Sequence, residues 1–233
     1  MSTYKINLKP SSIVRILGTI IALLVLASII TQTASLITGH KNIFGLVPLF
    51  NLNNEFNFPT YYSALQLIVA SFLLMFITAM EKRRKAFYIK YWAFLSIIFL
   101  YLSCDELIIL HERASIPMRD FLGSHLSIFN WAWIIPYGIL TLILAVVYIK
   151  FLFNLPKNTG KTFIIAAVIY VSGAIIFDFI GSYYSKLHPD NNFIYVALTT
   201  VEEGLEMTGI LVFIYGLLEY IAVNYQEFKI TFN

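Results

Sequence analysis

Asp105 and Glu106 stand side by side in an otherwise apolar stretch, and His111 and Glu112 follow within two helical turns. A second group, Glu202, Glu203 and Glu206, interrupts the last apolar run, and Asp178 sits in the run before it. At about 100° per residue, Asp105 and Glu112 share one face of a helix, and Glu202 and Glu206 form an i,i+4 pair. Carboxylates so placed in an apolar setting repel one another unless protons, basic side chains or a bound cation compensate them. Carboxylate oxygens combined with an imidazole suit a divalent metal ion. The expected ligands are therefore Asp105, Glu106, His111, Glu112, Asp178, Glu202, Glu203 and Glu206. The ion is left open among Ca, Zn, Mn and Fe. Residues 51–60 are short, oxygen-rich and close to a helix start, so Glu55 and Asn57 are additional candidates, as is His188.

Plainer readings stand beside each of these. Asp105 and Glu106 could be a solvated helix end, and the three glutamates an amphipathic extension above the membrane. Asp178 could be a lone hydrogen-bonded acid, and Glu55 and His188 simple loop residues. No nucleophile is singled out. Cys104, the lone cysteine, adjoins Asp105 and is expected to be buried and inert. No intrachain disulfide can form.

The elements that must position these residues follow from composition. The 233 residues are 59% hydrophobic and 12% charged, against about 25% charged in a soluble domain. Too little polar surface remains to cover a water-facing globule. Six apolar runs, at about 13–38, 61–80, 87–110, 131–153, 163–184 and 193–223, are each long enough to span a bilayer as a helix. They are apolar on every face, which excludes the alternation of a membrane barrel. The expectation is an all-α integral membrane bundle of about six transmembrane helices, with 1–233 as a single membrane domain. The first run reads as an uncleaved helix, because it is too long for a signal peptide core. Pro59 reads as the start of the second helix and Pro136 as a kink in the fourth. Gly173, Gly181, Gly204, Gly209 and Gly216 read as helix-packing positions. No basic stripe with interleaved aromatics points to nucleic acid.

The basic residues give a sidedness. Lys5, Lys9, Arg15, Lys82, Arg83, Arg84, Lys85, Lys90, Lys150, Lys157, Lys161 and Lys229 fall on one side, and only Lys41, Arg113, Arg119 and Lys186 on the other. The positive-inside rule then places both termini in the cytoplasm. Ten of the thirteen acids and all four histidines lie toward the outside, a segregation that rule does not explain. Residues 82–85 could also touch anionic headgroups. The expected location is the bacterial cytoplasmic (inner) membrane, with the site facing the extracytoplasmic side.

Leu102-Ser103-Cys104-Asp105-Glu106 with His111-Glu112-Arg113, and Glu202-Glu203-Gly204-Leu205-Glu206-Met207 in the last helix, resemble segments of a set of uncharacterised bacterial small multi-pass membrane proteins. Those proteins carry LSxDE…HER and EExxEM segments, and their loop matching residues 53–63 is also similar. The resemblance covers most of the chain. It implies that these segments act as one site and names no reaction. Glu55-x-Asn57 is faintly similar to the first acidic segment of alkaline-ceramidase-like membrane metal hydrolases. The chain departs from that group in having no HxxxH pair.

Three readings of function stay open. One is a metal-dependent membrane enzyme acting at the outer leaflet on a lipid-like substrate, as a hydrolase or a di-metal oxidase. One is a cation or proton transport protein using the same acids. One is an accessory subunit of a larger membrane complex, with a structural Ca site. Beyond the lipid bilayer, the expected partners are that substrate and a homo-oligomer or larger membrane complex.

Overall fold

The computed structural model describes residues 9–111, 113, 133–189 and 192–225. Among them there is no strand. Helix α1 spans Pro10–Thr38, short α2 Leu46–Phe50, α3 Phe58–Arg83, α4 Ile89–Ile108 and α5 Ile134–Asn154. The fifth span, Lys157–Leu187, is built from α6 (Lys157–Val171), a π-helical stretch (Ser172–Phe177) and α7 (Asp178–Leu187). Helix α8 covers Phe193–Asn224. Among the described residues, six helical spans are long and apolar enough to cross a membrane. They overlap the apolar runs, and the chain is an all-helical membrane protein.

Side-chain exposure fits a lipid environment. Large apolar residues such as Leu142, Val146, Val168 and Ile97 point outward, where in water they would form a costly patch. Helix backbones satisfy their own hydrogen bonds, so such a surface is stable in lipid. Cys104 is also exposed. Its neighbours Ser103 and Asp105 take the inward positions instead, so the expected buried thiol is not found.

Helix α8 is the central element, packed against α1, α3, α6 and the π-helical stretch. Its inward residues Ile210, Phe213, Ile214 and Leu217 join Leu67, Leu74 and Ile77 of α3, Trp92 of α4 and Phe163 of α6 in one core. Close approach of α6 to α8 requires Gly209, where a Cβ would lie 2.7 Å from the backbone nitrogen of Tyr170. Small residues serve this purpose between membrane helices. Gly204, by contrast, has open space around it.

Helix starts follow ordinary capping chemistry. The Asn57 side chain accepts from the Thr60 amide at the start of α3, with Pro59 in the first turn. Asn192 accepts from the amides of Ile194 and Tyr195 at the start of α8. Pro136 lies in the first turn of α5, where its missing N–H costs nothing. It starts a helix rather than kinking one. The loop between α1 and α3 is pinned to α1, since buried Ser28 Oγ accepts from Gln32 Nε2 at 2.8 Å and from the Leu52 amide at 3.2 Å.

Candidate functional site

The polar residues of four spans and the first loop meet in one cavity of about 230 Å³. It lies where α4 ends and α3 and α8 begin, at a single end of the bundle. Its wall carries Glu55, Asp105, Glu106, Asp178, Glu202, Glu203, Glu206 and His111. No Lys or Arg among the described residues lines it. The volume exceeds several times what one water needs, about 30 Å³ in the liquid.

Each acid arrives there for a local reason. On α8, Glu202 and Glu206 are one turn apart and Glu203 is three residues before Glu206, so all three share an inward arc. Above them, Thr199 is buried with its hydroxyl bonded back to the Tyr195 and Val196 carbonyls. The fifth span reaches the same cavity through its π-helical stretch. Ala174, Ile175 and Asp178 line the wall there, and Gly173 lets the backbone rest against Glu202 and Glu206. A π-turn inserted in a span re-aims the residues after it, and such turns recur at functional sites.

Glu106 lies within electrostatic reach of Glu55, Asp105 and His111. Glu203 feels Glu206, Glu106, Glu202 and Glu55, and Glu206 also feels Asp178. The acids therefore form one electrostatic unit. Carboxylates this close call for compensation by protons, by basic side chains or by a cation. Among the described residues, no three of His, Cys, Asp or Glu meet at metal-ligand spacing.

The end of α4 differs from the expected continuation through residue 110. Ile109 caps the helix in the left-handed region at φ 56°, an outlier for a β-branched residue. Such a conformation costs about 1–3 kcal/mol and persists when its surroundings fix it. Here the turn folds His111 back onto Asp105. The His111 amide donates to Asp105 Oδ1 at 2.8 Å, and its Nδ1 lies 3.0 Å from Oδ2. Asp105 is buried, and its Oδ1 also accepts from the Tyr137 hydroxyl at 3.4 Å.

Aromatic residues complete the wall. Trp133 packs on the His111 ring at 4.8 Å and edge-on to Tyr137 at 5.3 Å. Its Nε1 is buried without a hydrogen-bond partner among the described residues. Tyr170 and Tyr195 also line the cavity, and the Tyr195 hydroxyl donates to Asn53 Oδ1 at 2.8 Å, tying the first loop to α8. None of these aromatics is legible as a site residue, because an aromatic in an apolar helix reads as core or interface.

Two of the sequence-derived candidates are placed elsewhere. Asn57 is buried and caps α3, with Nδ2 donating to the Asn51 and Asn54 carbonyls at 2.7 Å each. The pattern of an Asn, a Pro two residues on and a Thr at the third position is the signal for that role. His188 follows α7 and stacks on Tyr184 at 4.4 Å, away from the cavity wall. Glu112 lies outside the described residues.

No curated protein and no solved structure matches the chain. Residues 16–220 match the model of a family described as a domain of unknown function, DUF8692, and the chain belongs to that family.

Proposed function

We propose that this family member is a divalent-cation-binding membrane protein whose ion sits in the acidic cavity, held by Glu106, Asp178, Glu202, Glu203 and Glu206 with His111 beside them. The observation that carries this reading is the wall itself. Seven carboxylates line one cavity without a lysine or arginine among the described lining residues. Each such charge within a bilayer costs roughly 2.5–3.5 kcal/mol on insertion scales. A cation offsets that cost, and glutamate stems are long enough to close on it by rotamer changes. By the distribution of basic residues the cavity faces the extracytoplasmic side of a bacterial inner membrane.

A metal-dependent enzyme acting on a lipid-like substrate fits this arrangement better than a transport protein. Beyond Glu206 the inward face of α8 turns to Met207, Ile210, Phe213 and Leu217, and that of α3 carries Ala70, Leu74 and Ile77 beside the buried polar residues Gln66 and Ser71. None of these residues is ionisable, so they offer no carboxylate relay toward the other end. Apolar Leu102, Val171 and Ile175 share the cavity wall with the acids, a mixture suited to a substrate with a polar head and an apolar body.

Elemental analysis of detergent-purified protein tests the reading. Wild type should retain a divalent ion, or take one up after stripping, and the Glu202→Gln/Glu206→Gln double variant should lose it. A wild-type protein that binds no divalent ion overturns the proposal.

A further inference from the structure

Asp105 and His111 form a closed unit. Two donors of one residue, the amide and Nδ1 of His111, meet the two oxygens of one carboxylate at 2.8 and 3.0 Å. The left-handed turn at Ile109 makes this possible, and Trp133 holds the other side of the ring at 4.8 Å. A carboxylate facing Nδ1 holds a proton there, so that in the neutral ring Nε2 is the acceptor nitrogen. A metal-ligating histidine commonly has this arrangement, with its second nitrogen bonded to a carboxylate that orients the ring. Asp105 is occupied on both oxygens and is buried. It is therefore placed to orient His111, whereas the glutamates of α4 and α8 face the cavity.

A second observation at the same spot points to a ligand. Trp133, which lines the cavity against His111, is 8% exposed and its Nε1 has no partner among the described residues. A buried indole donor ordinarily has an acceptor. An oxygen of a molecule bound beside the ion would supply one.

Resting on the cation-binding reading above, we infer that Asp105 is a positioning residue, that His111 Nε2 is a nitrogen ligand, and that the ion is a first-row transition metal rather than Ca²⁺. The chemistry of the donor set carries the last step. Calcium takes oxygen ligands only, while imidazole selects ions such as Zn²⁺ and Fe²⁺.

The experiment uses full-length, metal-stripped protein in detergent, labelled with ¹⁵N-histidine, with the His111 signals identified by their loss in His111→Gln. In wild type the His111 ring should carry its proton on Nδ1, and Zn²⁺ should shift the Nε2 resonance. Zn²⁺ should bind more tightly than Ca²⁺, and His111→Gln should weaken Zn²⁺ binding by about 10–100-fold while leaving Ca²⁺ binding largely unchanged. Asp105→Asn should move the proton to Nε2 and weaken Zn²⁺ in the same way, an effect that a merely structural role would not produce. A wild-type ring protonated on Nε2, or binding of both ions with the His111 signals unmoved, overturns this inference alone. Failure of wild type to bind either ion overturns the cation reading and this inference with it.

Discussion

A methyl group placed on Gly173 would meet the carbonyl oxygen of Glu202 at 2.7 Å and the backbone nitrogen of Glu206 at 3.1 Å. Backbone atoms cannot swing aside as a side-chain end can, so the π-helical stretch and α8 would have to separate. Gly173→Ala should therefore destabilise the protein by about 1–3 kcal/mol, the usual range for overpacking. It should also lower cation affinity, because Asp178 rides on the displaced segment. Thermal melts and cation titrations check the two effects. An unchanged melt would mean that the two helices part without cost.

The capping role of Asn57 gives a contrasting expectation. Asn57→Ala should cost about 0.5–2 kcal/mol through loss of the cap and leave cation affinity as in wild type. Asn57→Asp should keep the cap to the Thr60 amide but restore little of the stability, because it loses the two donations of Nδ2 to the Asn51 and Asn54 carbonyls. A large loss of cation affinity in Asn57→Ala would show that this side chain serves the site after all.

At the far end of the bundle, Glu81 is buried and accepts from the hydroxyls of Tyr220 and Tyr225, while Arg84 lies 4.5 Å over the Tyr225 ring. This cluster fastens the end of α8 to α3. Tyr225→Phe should lower stability by about 1–3 kcal/mol, the cost of leaving a buried acceptor one donor short. Melting with and without chelator checks it. The variant should melt lower in both conditions by the same amount, since the cavity is at the other end.

Sidedness is tested in a Cys104→Ala background. His188→Cys should react with a membrane-impermeant maleimide added from outside, and Lys157→Cys only after the membrane is opened. The reverse pattern would place the cavity on the cytoplasmic side.

Much of this was legible in the residues. Long uninterrupted apolar runs leave few alternatives to spanning helices, and helical spacing alone put Glu202 and Glu206 on one face. What joined Asp105 and Glu106 to Asp178 was not in the spacing. It depends on a π-helical stretch whose residues, Ser172–Phe177, carry no local signature of it. The turn at Ile109 was equally hidden, because a β-branched residue is the last expected at positive φ. It is the double hydrogen bond from His111 to Asp105, six residues apart, that accounts for it. Asn57 shows the opposite case. Its capping signal was present in the sequence, yet its oxygen-rich neighbourhood also invited a ligand reading. Glu55, equally readable as a loop residue, does reach the cavity, because Ser28 pins the loop at Leu52 and Tyr195 holds it at Asn53.

The central claim is that the acidic cavity holds a divalent cation, and thermal melting of detergent-purified protein with and without chelator tests it most directly. A ligand bound only by the folded state adds RT ln(1 + [L]/Kd), about 2.7 kcal/mol at a hundredfold excess over Kd. Chelator should lower the wild-type melting temperature and added metal should restore it. Glu206→Gln and Glu202→Gln should respond weakly to either. If both variants melt higher than wild type and all three proteins ignore chelator, the carboxylates are repelling one another in a site compensated by protons alone, and the account is contradicted.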